Sequence, residues 1–241
     1  MFKKSKGIWY LLPLSVREKV EAPYRYEVKK EIEIIFNNIG DKKIYILDAG
    51  AGDCFAKKLF VGHKYLAMDI KENEIITAKK ELDVVGDIQN MPFQRETFDM
   101  ILCLEVLEHV VNPQAALKEC FRVLKKDGIL LMSVPLMAVG FHDDFYRFSS
   151  SALKIILEKA GFKIKKMNPT GGYFRMLGWQ ISKLSYMVRK PQNKIFWPFY
   201  YMVKIPVGLV FQIVIPLCLF YLDWFDKKKN ETCGYMVVAN K

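Results

Sequence analysis

From Ile44 onward the chain repeats one pattern: a short, almost wholly apolar run, then a glycine or an acid, then a stretch with helical spacing. The runs are IYILDAG (44–50), KYLAMDI (64–70), DVVGDI (83–88), FDMILCLEV (98–106) and GILLMSVP (128–135). Continuous apolar runs, as opposed to alternating ones, are what strands buried on both faces require. Between them Phe55, Leu59 and Phe60, then EIITAKKEL (74–82), then Leu117, Cys120, Phe121 and Leu124 recur at helical spacing. Repeated strand–helix units predict a parallel sheet with right-handed crossovers and helices on both faces. Two later segments, FKIKKM (162–167) and GYMVVAN (234–240), alternate as half-exposed strands do and predict an antiparallel edge.

Capping residues mark the helices. A helix is expected over 15–38, ending near Gly40. Asn112 followed by Pro113 reads as an N-cap and first helical position, with Lys125 and Lys126 at the dipole's negative end and Gly128 as the stop. The serine run 149–151 opens a further helix that Gly161 closes.

At 241 residues the chain has room for one domain with a large insertion, and 51% hydrophobic with 26% charged residues excludes global disorder. The five cysteines are scattered with no C-x-x-C pair, which suggests neither a zinc site nor a disulfide framework and fits a reduced, cytoplasmic chain. The N-terminal MFKKSKGIWYLLPLSV is basic, but its apolar run is short and broken by Pro13, so it does not read as a cleaved signal. The net charge of +11 sits in two places. Residues 1–30 carry eight Lys/Arg against three Glu, and residues 175–231 carry nine against three acids. Basic segments attract phosphate, whether of nucleic acid or of lipid headgroups.

The turn LDAGAGD (47–53) joins the first strand to the first helix. Gly50 and Gly52 let the backbone pass close to a ligand at the strand's C-terminal end. Asp69 ends the second strand, where an acid reaches ribose hydroxyls in nucleotide-binding sheets. A nicotinamide site would need a small residue where Phe55 stands, and Asp53 would repel its pyrophosphate. Both acids suit a cationic ligand without phosphate.

The ordered set LDAGAGD, AMDI, GDIQNMPF (86–93), FDMILCLEVLEHV (98–110), RVLKKDGILLMSVP (122–135) and FYRFS (145–149) resembles class I S-adenosylmethionine-dependent methyltransferases of the type 11 or quinone-methyltransferase-like kind, over roughly residues 44–167 plus 234–241. The resemblance implies an α/β, Rossmann-like, mostly parallel seven-stranded sheet with an antiparallel last strand, and S-adenosyl-L-methionine as cofactor. It implies Asp48, Gly50 and Gly52 around the methionine portion and Asp69 on the ribose, with Ile70 against adenine. Asp87 would accept from the adenine amino group beside Ile88, and Glu105 would face the reacting methyl. Asp53-Cys54 stands where the family usually has small residues. The expected layout is an N-terminal helical segment (1–40), the cofactor-binding domain (41–173 and 232–241), and a basic hydrophobic insertion (174–231) between strands six and seven.

A base is useful only where the acceptor must lose a proton. The candidates lie just after strand five: His142, Asp143, Asp144 and Tyr146, of which His142 and Tyr146 are favoured. His109 reads as a tie for its loop and Arg147 as another. Strand four ends in CLEV and lacks the Asn/Asp-Pro-Pro-aromatic tetrapeptide of relatives that methylate amino groups, which tilts the acceptor toward oxygen or carbon.

In the insertion, Leu177, Ile181, Leu184 and Val188 share a helical face, and residues 205–222 carry no charge. Pro198, Pro206 and Pro216 are expected to cut the run into pieces too short to span a bilayer. Neighbouring strands six and seven require the chain to leave and return on one side. A shallow, monotopic hairpin follows, with Trp197, Phe199, Tyr200, Tyr201, Tyr221 and Trp224 at headgroup level and Lys227–Lys229 on anionic phosphate. The expected partners are an acceptor that is a small molecule or lipid-linked and an anionic membrane surface, with no metal and no nucleic acid; a soluble lid or dimer contact is the alternative reading of the insert. The expected location is the inner face of the cell membrane.

Overall fold

A computed structural model describes residues 16, 19, 23–40, 42–70, 82–136 and 144–241. The expected helix over 74–82 lies outside the described residues except for Leu82, and His142 and Asp143 lie outside them as well. The chain forms two units, one of residues 29–168 with 234–241, the other of residues 1–28 with 169–233. Helix α1 (Pro23–Ile39) contributes to both.

The first unit is the sheet. Strands β1 (Tyr45–Ala49), β2 (Lys64–Asp69), β3 (Val84–Val85), β4 (Phe98–Leu104), β5 (Leu124–Pro135), β6 (Lys163–Pro169) and β7 (Gly234–Asn240) lie in the order β3-β2-β1-β4-β5-β7-β6. β1 runs parallel to β2 and β4, β2 to β3, and β4 to β5. β7 is antiparallel to β5, from Ile129 opposite Asn240 to Pro135 opposite Gly234. The strand order reverses between β1 and β4. In open α/β sheets that reversal opens a crevice beyond the strands' carboxyl ends, because the flanking crossovers leave in opposite directions. The central strands are apolar because helices cover both faces: in β4 every residue except Asp99 is buried. Asp99 ties the strands' other end, accepting from the Tyr45 amide at 2.9 Å and pairing with Lys125 at 3.0 Å.

β7 sits between β5 and β6. Its buried Met236, Val237 and Ala239 suit an inner strand, while β6, which alternates toward solvent, takes the edge.

Helix α2 (Pro113–Val123) starts where expected, with the Asn112 side chain accepting from the Ala115 amide at 3.1 Å. It ends earlier than expected. Leu124 already pairs with Phe98 in the sheet, so Lys125 and Lys126 belong to β5 and not to a helical last turn. Burial of Leu124 and the Lys125–Asp99 pair favour the strand there. Helix α3 (Ser150–Ala160) is capped by Ser149 and closed by Gly161 at φ +103°.

In the second unit, α4 (Tyr173–Leu184) packs against the end of one long helical run, Lys194–Leu222. That run consists of α5 (Trp197–Gly208), a π-helical stretch (Leu209–Val214) and α6 (Ile215–Leu222). The prolines therefore do not cut it into pieces, and the expected hairpin is absent from this stretch. Pro198 occupies the first turn of α5, where no amide is missed, while Pro216 lies inside the continuous run, where the widened turn before it accommodates its ring. The widened turn also brings Gln212 inward, where its amide donates to the Ser185 hydroxyl. Gly178 allows the close approach: a Cβ there would lie 3.2 Å from Pro216 Cα. Past the end of α6, Asp223 accepts from the amides of Gly172 (3.0 Å) and Arg175 (3.1 Å), and Asp226 from that of Tyr173 (2.8 Å). These acids cap α4 at the positive end of its dipole.

Candidate cofactor and acceptor site

Three turns meet at the carboxyl ends of β1, β2 and β4. After β1 the chain bends back at Gly50 (φ +82°), whose amide donates to Met68 O at 2.8 Å, as does that of Ala51 at 3.0 Å. Two residues on, Gly52 (φ +54°) donates its amide to Asp69 Oδ2 at 2.9 Å. Asp69 Oδ1 accepts from the Ile70 amide at 2.7 Å, and Asp69 O accepts from Gly86 at 3.0 Å. The β1 turn, the acid ending β2 and the turn after β3 are thus stitched together by backbone amides.

Asp48 is buried at the end of β1 and accepts a hydrogen bond from the Tyr65 hydroxyl. Burial pushes its carboxyl up to about 7, against the pull of the Tyr65 bond and with help from the charges of Asp69 and Asp53. Tyr65 is raised in turn, by burial and then by Asp48. Burial also raises Asp69, opposed by the Gly52 and Ile70 amides. Sequence spacing alone does not flag Tyr65. The signal lies in the parallel register, which sets Tyr65 opposite Ile46 and so two residues from Asp48 on the same face.

Ile70 is 49% exposed at the strand end, while Ile88 is buried. Asp87 is exposed, and its carboxylate accepts from the Gln89 amide at 2.8 Å and from Gln89 Nε2 at 3.1 Å. Gln89 Oε1 accepts from the Asn112 amide at 3.0 Å, which fixes this turn beside α2.

After β4 the backbone turns at Glu105 (φ +56°), whose amide donates to Ser133 O at 3.0 Å. Burial pushes its carboxyl up to about 7. Glu108 is 1% exposed, and burial, then the charge of Glu105, pushes it up to about 9. Its Oε2 has no hydrogen-bond partner among the described residues. Glu108 O accepts from the amides of Phe145 (2.8 Å) and Tyr146 (3.3 Å), which latches the segment after β5 onto this turn. His109 Nδ1 lies 3.0 Å from Asp144 Oδ1, and Arg147 pairs with Asp144 Oδ2.

Of the two favoured bases, His142 lies outside the described residues. Tyr146 donates its hydroxyl to Val111 O at 2.9 Å and stacks on Phe148. Among the described residues, the imidazole brought against a carboxylate is His109. Its partner lies 35 residues away in sequence, a contact that only the latch between the two loops creates.

The fit to S-adenosylmethionine rests on the donor set. A Cβ added at Gly52 would meet nothing within 4 Å, so this turn opens onto free space. The Asp69 carboxylate, with one amide on each oxygen, keeps lone pairs for two hydroxyl donors. Asp48, Asp53 and Asp69 together favour a cation and disfavour phosphate.

Residues 47–132 match the family model of the methyltransferase domain. An uncharacterised protein of Methanocaldococcus jannaschii is 33% identical over 145 residues, 58% of this chain and 64% of that one. A ubiquinone biosynthesis O-methyltransferase of Glaesserella parasuis is 28% identical over 110 residues, 40% of this chain and 47% of that one. These matches span roughly half to two-thirds of the curated relatives' length. The solved structure of a SAM-dependent methyltransferase from Archaeoglobus fulgidus shares the fold at TM-score 0.54 and 15% identity, covering 90% of this chain and 94% of that one. Residues 47–132 are thus a methyltransferase domain of the class I S-adenosylmethionine-dependent type.

Proposed function

We propose that the protein transfers a methyl group from S-adenosylmethionine to an oxygen or carbon of a membrane-associated acceptor: a lipid, an isoprenoid or quinone-like molecule, or a lipid-linked glycan. The observation that carries the reading is the turn cluster in which Gly52 is held on Asp69 at the strand-order reversal. When bound, the cofactor supplies a methyl already activated on a sulfonium centre. The protein's part is then alignment and exclusion of water, which together supply about 7–11 kcal/mol in well-oriented reactions. Asp69 holds the ribose hydroxyls, Ile70 and Ile88 border the adenine, and Asp87 accepts from its amino group. Asp48 and the Gly50–Gly52 turn hold the methionine end, and Glu105 faces the methyl.

The second unit supports a membrane surface as the place of work. The Lys194–Leu222 helix is long and apolar enough to cross a bilayer by length and composition. It exposes Ile195, Phe199, Met202 and Ile205. At its two ends Lys190 lies over Trp197 at 3.4 Å and Lys227 over Trp224 at 4.2 Å, an arrangement of amphipathic rings and cations suited to headgroups. A crossing would need a return path, because β6 and β7 are neighbours in one sheet. Helix α4, at 12 residues, reaches about 18 Å, well short of a hydrocarbon core of about 30 Å. The helix therefore lies along the interface, on the inner face of the cell membrane. The basic residues flank an apolar helix and do not line a groove between aromatics, which disfavours nucleic acid.

Methyl-labelled cofactor incubated with the protein and two extracts, one lipid and one polar, tests this. Label entering the lipid fraction supports the reading. Label confined to the polar fraction shows a methyltransferase of soluble small molecules, with the insert as lid or dimer contact, and label in neither contradicts methyl transfer.

A further inference from the structure

We propose that Tyr65 is a positioning residue for the cofactor: from the second strand its hydroxyl holds the Asp48 carboxylate so that Asp48 meets the amino group of the methionine end. The inference rests on the placement of that end proposed above and adds the residue that makes Asp48 fit to receive it.

Tyr65 approaches Asp48 from β2, alongside the turn that follows β1. Its ring packs against Ala51, Cys54 and Ala67 and stacks on Phe60 with 5.9 Å between centroids. The parallel register sets Tyr65 opposite Ile46 and Ala67 opposite Asp48, so a long side chain at position 65 reaches diagonally to the acid. The Tyr65 hydroxyl donates to Asp48 Oδ2, which leaves Oδ1 with no partner among the described residues. Asp48 is 3% exposed and stands two residues before the bend at Gly50 (φ +82°). A buried carboxylate with an unused oxygen is costly until a donor reaches it, and an ammonium brings both the donors and the opposite charge.

The hydroxyl does more than fix a rotamer. Burial pushes the Asp48 carboxyl up to about 7, the Tyr65 bond pulls it down, and the charges of Asp69 and Asp53 add to the push. The other titratable neighbours are Cys103 of β4, whose thiol burial holds protonated, and, around Tyr65, Cys54 and Asp83. Of the groups acting on Asp48, Tyr65 is the one that favours the ionised form. Without the hydroxyl the carboxyl keeps its proton to higher pH, and a neutral acid no longer pairs with an ammonium.

The test compares calorimetric affinities of the full chain for two probes. One is S-adenosylhomocysteine. The other is methylthioadenosine, which carries the same nucleoside and thioether without the amino-acid chain. Asp69 faces the ribose common to both, so its own titration cancels in the ratio of the two affinities. Tyr65→Phe keeps the ring and removes the hydroxyl. It should weaken S-adenosylhomocysteine about tenfold at pH 7, the worth of a charge-assisted hydrogen bond, and leave methylthioadenosine within about twofold. In wild type the ratio should fall as the pH drops below about 7, and in Tyr65→Phe that fall should begin at higher pH. In Asp48→Asn the ratio should be low and independent of pH, and adding Tyr65→Phe should change it no further. A Tyr65→Phe protein with the wild-type ratio and pH dependence overturns the proposal, as does an equal loss for both probes, which is what a purely structural role predicts. Wild type reads the proposal even without a folded variant: a ratio that stays flat from pH 8 to pH 6 overturns it. A wild-type protein that binds neither probe contradicts the cofactor reading itself, and this proposal falls with it.

Discussion

Val106 occupies the space that a side chain on Gly50 would need: a Cβ built there would lie 2.4 Å from Val106 Cγ2. The turn after β1 and the turn after β4 therefore fit together as they do only because position 50 is glycine.

Gly50→Ala adds that clash to a left-handed backbone at φ +82° and should cost about 2–4 kcal/mol. Gly52→Ala, at φ +54° with nothing within 4 Å of its Cβ, should cost only about 1–2 kcal/mol. Val106→Ala should recover part of the Gly50→Ala loss. Urea denaturation of the single and double variants reads all three.

Glu108 titrates near 9 in the folded protein against an ordinary value near 4.5, so the folded state holds a proton that the unfolded chain gives up. Its contribution to stability is complete below about pH 4.5 and is lost as pH rises through about 9. Glu108→Gln, which mimics the protonated side chain, should therefore gain stability over wild type, more at pH 8 than at pH 5. Denaturation midpoints at the two pH values measure the difference. Asp48→Asn should do the same over a lower window, between about 4 and about 7.

Asn112→Ala removes the acceptor for the Ala115 amide and should cost about 1 kcal/mol, seen as a fall in the thermal midpoint with cofactor affinity unchanged.

Binding to phosphatidylglycerol-containing vesicles should weaken by roughly two orders of magnitude when Lys227, Lys228 and Lys229 are all replaced by Ala, since each lysine near an anionic surface is worth about 1 kcal/mol. The dependence should fade at 1 M salt, where the screening length is about 3 Å. Trp224, 71% exposed, should contribute an increment that salt does not remove. Flotation across a salt series separates the two.

Strands β1, β2, β4 and β5 are legible in the amino-acid sequence as apolar runs because they are buried on both faces. Asn112, Ser149 and Gly161 mark helix ends through local hydrogen bonding and backbone conformation, which sequence carries directly. Contacts made by tertiary packing leave no such local mark. Leu124 looks like the last apolar position of a helix, yet its burial against Phe98 begins a strand. Proline spacing in 198–216 argues for breaks, yet a widened turn absorbs Pro216 within one run. Tyr65 with Asp48, and His109 with Asp144, meet only after register and loop docking are fixed.

The placement of the cofactor depends most directly on Asp69 and its bond to the Gly52 amide. Calorimetric titration with S-adenosylhomocysteine of wild type and Asp69→Ala, each checked for an intact thermal transition, tests it. We expect saturable one-to-one binding to wild type and at least tenfold weaker binding to the folded variant; equal affinity for the two proteins would contradict the placement of the nucleoside between these turns.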